Sequence, residues 1–174
     1  MPTKDIDLPH LSLKDALDLA VIIEEEARDR YEELADQLEA HHTPDAAAFF
    51  RFMAKNEEKH RSELAERRAE RFGDQPRGVG PLNVFDIEAP AYDDARAFMT
   101  VRQALEMALQ AELKAYDFFV SVLASIKDPA VRRLLEELRD EEIEHQDLIK
   151  LQIARLPLKP EASPDDYGDE PAPQ

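Results

Sequence analysis

Apolar residues recur along this chain in alternating steps of three and four positions, the spacing that keeps side chains on one face of an α-helix. Four stretches carry it. The first runs Leu13, Leu17, Ala20, Glu24, Ala27, Tyr31, Leu34, Leu38, and the second Ala46, Phe50, Met53, Glu57, His60, Leu64. The third runs Phe98, Val101, Leu105, Ala108, Glu112, Ala115, Phe119, Val122, Ile126, and the fourth Val131, Leu135, Leu138, Glu142, His145, Ile149. A glutamate interrupts each stripe near its middle, and in the second and fourth a histidine follows three residues later. The pattern predicts an all-α protein of four amphipathic helices.

Local signals set the expected boundaries. Ser12 with Asp15 resembles a capping box, so the first helix is placed from Leu13 to about Ala40. Thr43-Pro44 supplies a cap and a first-turn proline for the second helix, which is expected to end near Gly73. The third helix is expected from near Asp94 to near Ile126. Asp128-Pro129 repeats the cap-then-proline start, and the fourth helix ends before Pro157. The two short turns make antiparallel hairpins. Residues 74–93 hold prolines and glycines and read as a loop. Extended, such a loop reaches at most ~70 Å, whereas a helix of about 28 residues is ~42 Å long. The connection can therefore run the length of the bundle and restart the chain at its far end. The expected architecture is a four-helix bundle of two helical hairpins joined by a long crossover loop. It occupies residues 12–156, between an N-terminal arm (1–11) and an acidic, proline-rich tail (157–174) expected to be disordered. Phe85 and its neighbours in the loop are candidates to cover the bundle surface.

Composition narrows the chemistry. The 174 residues suffice for one domain with a sizeable core. A formal net charge of −17 argues against nucleic acid or an anionic membrane as partner. No apolar run approaches the ~20 residues of a membrane span, and no signal peptide is evident, so a cytoplasmic protein is expected. The sequence has no cysteine, which excludes disulfides, iron–sulfur clusters and thiolate zinc sites.

A carboxylate facing the core of a bundle is unfavourable unless something positive neutralises it. The chain places four there, Glu24, Glu57, Glu112 and Glu142, with two imidazoles, His60 and His145. The halves also repeat: Ala20 to Ala27 matches Ala108 to Ala115, and Glu57-Glu-Lys-His60 matches Glu142-Ile-Glu-His145. A duplicated hairpin would set two half-sites face to face. Residues three apart share a helix face, so Glu57 with His60 can grip one metal ion and Glu142 with His145 another. Glu24 and Glu112 would add a terminal ligand each. Four carboxylates balance two divalent cations, and the oxygen and nitrogen donors suit iron or manganese and also accept zinc. Two iron ions are expected. Tyr31, on the same face as Glu24, can hydrogen-bond a ligand carboxylate or serve as an ordinary core residue. His41 and His42 read as exposed turn residues, and His10 carries no signal. Glu58, Glu141 and Glu144 read as solvated-face charges. Met53, Phe49, Phe50, Phe118 and Phe119 read as core.

The order Glu, Glu-x-x-His, Glu, Glu-x-x-His over four helices resembles the ferritin-like di-iron superfamily, in particular rubrerythrins and bacterioferritins. Glu24 to Tyr31 resembles the first-helix motif of rubrerythrins, and Leu138-Arg-Asp-Glu-Glu142 followed by His145 the last-helix motif of either family. The resemblance covers about Ser12 to Leu156. It implies a ferritin-like bundle and ligands at Glu24, Glu57, His60, Glu112, Glu142 and His145. The departures matter as well. Rubrerythrins carry a cysteine-bound iron that feeds electrons to the di-iron site, and this sequence has no cysteine. They usually place a further glutamate where Ala115 stands. In bacterioferritins a methionine beside the second-helix ligand holds haem; here that neighbour is Glu58, so no haem is expected. A rubrerythrin-like protein without a rubredoxin domain is the description that fits.

The expected function is a di-iron oxidoreductase of ferroxidase or peroxidase type. It would oxidise Fe(II) with peroxide or dioxygen and draw on an external electron donor or treat Fe(II) as substrate. Iron storage in a hollow assembly, another di-metal enzyme such as a manganese catalase, and a metal-free structural bundle are the alternatives. A homodimer is the expected assembly.

Overall fold

The computed structural model describes residues 6–80, 87–88, 90 and 99–157. A short 3-10 turn, Leu8–His10, leads into four helices: α1 (Leu13–Ala40), α2 (Pro44–Phe72), α3 (Val101–Leu123) and α4 (Pro129–Arg155). None is long and apolar enough to cross a membrane.

The helix ends follow from local chemistry. The Ser12 hydroxyl accepts the Asp15 N–H at 3.1 Å, and Asp128 accepts the N–H groups of Ala130 and Val131. Gly73 closes α2 at φ 55°, a left-handed conformation that glycine adopts without steric cost. Two boundaries differ from expectation. Thr43 makes no cap bond; its hydroxyl donates back to the Leu38 carbonyl at 2.9 Å. The third helix begins at Val101 rather than near Asp94, because Thr100 and Gln103 form a reciprocal capping box. The third stripe's first residue, Phe98, lies outside the described residues, as do Phe85 and the tail from residue 158.

α1 packs on α2 and α3 on α4, as two hairpins. Two apolar clusters report the helix directions. One gathers Leu17 and Ile23 of α1, Leu64 of α2, Phe119 and Val122 of α3, and Leu134 and Leu138 of α4. The other gathers Leu34 and Leu38, Phe50 and Met53, Leu105 and Ala108, and Ile149. The C-terminal half of α2 thus lies at one end of the bundle and the N-terminal half of α3 at the other, so the connection between them must travel the bundle's length. Its residues mark the route: Val79 and Ile87 pack in the first cluster and Met99 in the second.

The connection leaves α2 over α1. Asp18 is buried there and accepts from Arg68 Nε at 2.9 Å, from Lys14 Nζ at 3.0 Å and from the Gly78 N–H at 2.9 Å. Arg68 also donates to the carbonyls of Gly73 and Gln75. A β-carbon on Gly78 would come 2.0 Å from an Asp15 carboxylate oxygen, so the chain passes too close to α1 for a side chain. With this covering, the residues from Ala16 to Glu24 are all buried. That accounts for the apolar run Leu19 to Ile23, which is wider than the stripe of a half-exposed helix.

Candidate metal centre

Between the two apolar clusters lies a polar layer. Glu24 (α1), Glu57 (α2), Glu112 (α3), Glu142 and His145 (α4) are all buried, and His60 is about one-sixth exposed (16%). The helix seam that packs Leu and Phe above and below is the seam that turns these groups inward.

Ligand atoms converge in three sets, each within 4.8 Å: Glu57, His60 and His145; Glu57, Glu88, Glu112 and His145; and Glu24, His60 and Glu141. The His60 and His145 rings stack with centroids 5.1 Å apart, so the two Glu-x-x-His motifs meet. Grouping therefore runs across helices, and His145 clusters with Glu57 and Glu112 more than with Glu142 of its own motif. Glu142 is in none of the three sets, although its buried carboxyl lies against Glu112.

Glu112 is the best-anchored member. The Tyr31 hydroxyl donates to its Oε1 at 2.9 Å, and His145 Nδ1 lies 3.2 Å from its Oε2. Gln146 donates to its backbone carbonyl at 3.3 Å. Tyr31 stacks on Phe50, centroids 5.7 Å apart, which holds the ring in place. The other carboxylates are left wanting. Glu24 Oε2, both oxygens of Glu57, Glu88 Oε2 and Glu142 Oε2 are buried without any hydrogen-bond partner. Burying a carboxylate without donors costs several kcal/mol or forces it to hold a proton.

The electrostatics respond accordingly. Burial, and next the neighbouring Glu88, push the carboxyls of Glu24, Glu57 and Glu142 well above the ordinary range. Burial and then Glu112 push Glu88 to about 8. Burial lowers His60, helped by the His145 charge. Burial also pulls on His145, but its contact with Glu112 outweighs this and the net shift is upward. Buried carboxylate oxygens without donors, set beside two imidazoles, are the donor set a divalent cation completes, so the residues present fit a metal pair.

Two members escaped the sequence reading. Glu88 comes from the crossover connection, where no periodicity exposes it; its only mark is an acid held between Ile87 and Pro90. Glu141, read as a solvated charge, instead puts Oε2 3.6 Å from His60 Nδ1 at the edge of the layer. Burial raises its carboxyl, partly offset by His145. Glu144 is exposed. Glu58 is half-exposed and gripped by Arg61 and Arg28 at 2.7 Å each, which hold its carboxyl down at about 2. His42 is an exposed turn residue with φ 61°, and His10 pairs with Asp7.

Comparison with known proteins follows the same lines. A family model described as Rubrerythrin matches residues 15–152. The crystal structure of an uncharacterized conserved protein from Magnetospirillum magnetotacticum is 30% identical, with a TM-score of 0.66, over 87% of this chain and 99% of that one. A hypothetical protein from Pyrococcus furiosus shares the fold at 21% identity and a TM-score of 0.53, over 85% of this chain and 92% of that one. No match is found among curated proteins.

Proposed function

The chain belongs to the rubrerythrin family, and we propose that it is a di-iron carboxylate protein. In this reading it binds two iron ions in the middle of the bundle and oxidises Fe(II) with hydrogen peroxide or dioxygen. Glu24, Glu57, His60, Glu112, Glu142 and His145 are the proposed ligands. The observation that carries the reading is the layer of buried carboxylate oxygens without donors, facing two stacked imidazoles. Manganese suits the same donors, and zinc would fill them without redox chemistry.

Bound in the layer, two iron ions would supply one electron each to an oxidant, and two such electrons with two protons convert one hydrogen peroxide to two waters. The chain's own groups do the rest. Tyr31 fixes the rotamer of Glu112 through its hydroxyl. The carboxyls whose affinity for protons is raised hold them while no cation is present and release them when one enters, so binding expels protons. The apolar clusters close the layer on two sides, and His60 and Glu141 form its solvent-facing edge. The sequence contains no cysteine, so the proposed electrons come from a separate donor or from Fe(II) as substrate.

The test is metal content and anaerobic Fe(II) loading of tag-free protein beside a Glu57→Ala/His60→Ala variant. About two irons per chain, lost in the variant, and a ferric absorption band on adding oxidant are expected. No uptake in either protein would sink the reading. We expect a homodimer on sizing; a large hollow particle would instead favour storage.

A further inference from the structure

We propose that Glu88, carried by the crossover connection, is itself a metal ligand of this centre, a fifth carboxylate supplied by a loop rather than by any helix. The inference rests on the di-metal reading above. Three observations carry it. Glu88 is buried at 2% exposure, and its Oε2 has no hydrogen-bond partner. Its carboxylate lies within 4.8 Å of ligand atoms of Glu57, Glu112 and His145, three residues from three different helices. Its backbone is pinned on both sides: Ile87 is 1% exposed within the apolar cluster, and the Pro90 carbonyl accepts from Arg30 at 2.7 Å. A loop carboxylate that served only to cover the bundle would face solvent or a cation of the protein. This one is aimed into the polar layer, where His145 is the one basic group beside it among the described residues and its Oε2 accepts no hydrogen bond.

Charge gives the ligand a distinct role. The four helix carboxylates already match two divalent cations. With Glu88 the layer holds one negative charge more than the ions supply, which favours a more oxidised pair. Removing that charge shifts the metal's reduction potential upward.

The variant that tests this is Glu88→Gln, which keeps shape and removes charge. Cobalt(II) and anaerobic Fe(II) titrations, the cobalt absorption spectrum and thermal melts with and without metal are compared with the parent. The metal-free variant is expected to melt no lower than the parent, because the carboxyl oxygen it replaces has no hydrogen-bond partner to lose. Its metal affinity is expected to fall at least the roughly tenfold typical of losing a supporting partner. The cobalt band should intensify as an oxygen ligand is lost, and the iron potential should rise. If the parent binds two ions and Glu88→Gln binds them with the same affinity and the same cobalt spectrum, Glu88 is not a ligand while the centre stands. A metal-free variant that melts lower, with an unchanged gain from metal, would make Glu88 a structural latch and overturn the proposal. A parent that takes up no metal overturns both readings together.

Discussion

α1 buries two carboxylates, Asp18 and Glu24, at 1% and 3% exposure, and the protein surrounds them in opposite ways. Asp18 is met by an ammonium, a guanidinium and a backbone N–H. Burial acts to raise its proton affinity, but Gly78, Arg68 and Lys14 together outweigh it, and the carboxyl is held below the ordinary range. Glu24 has an oxygen with no donor at all and other carboxylates as neighbours, and its carboxyl is driven far above that range. Burial is common to both, so burial does not distinguish a ligand. What separates these two is the counter-charge around Asp18, which Glu24 lacks. Asp18 is complete as protein and clasps the start of the crossover. Glu24 keeps a buried oxygen without a donor, as the proposed metal centre requires.

Substituting each carboxylate in turn gives the widest separation. Asp18→Ala strands Arg68 and Lys14 and frees the Gly78 turn, so a loss of about 3–5 kcal/mol is expected, with or without metal. Glu24→Gln should leave the metal-free protein as stable as before and erase most of the stabilisation that metal confers. Urea unfolding of both variants, with and without added Fe(II), reads the contrast; equal losses in the metal-free state would abolish it.

Acidity should separate the two next. Asp18 has a folded pKa below its unfolded value of 3.8, so its contribution is present above 3.8 and lost as pH falls through the folded value. The centre behaves in reverse. Glu88 rises from 4.5 to about 8, so its contribution is full below 4.5 and lost as pH rises towards about 8. Metal-free protein should therefore lose stability steadily over that upper window, and metal-loaded protein should not. Urea midpoints measured across pH decide it; parallel profiles with and without metal would contradict the proposed centre.

Tyr31→Phe is the gentlest probe. It removes one hydrogen bond to Glu112 and keeps the Phe50 stack, so a cost of about 1 kcal/mol is expected. Calorimetric titration should also show weaker metal uptake. An unaltered titration would make Tyr31 an ordinary core residue.

The four helices were legible because a seam repeats at helical spacing, and the same seam pointed to the six groups that the fold gathers into one layer. What lay outside that periodicity was illegible for physical reasons. Asp18 is off the seam and becomes buried only because the connection lies over it. Glu88 sits in the connection, whose path is set by tertiary packing. Glu141 occupies a flank position on α4, and its nearness to His60 depends on how α2 and α4 sit together. The start of α3 was missed because helix-like residues precede the Thr100–Gln103 box that ends the connection.

The apolar interior is interrupted, with one cluster on each side of the carboxylate layer. Without a cation, the two halves of the bundle are joined by four helical backbones across a plane of buried carboxyls short of hydrogen-bond partners. Each half would then be expected to open as a separate cooperative unit. A bound metal pair would rivet the halves and make the molecule unfold as one. Occupancy of the centre would in this way set the cooperativity of the whole fold, and with it the susceptibility of the empty protein to proteases.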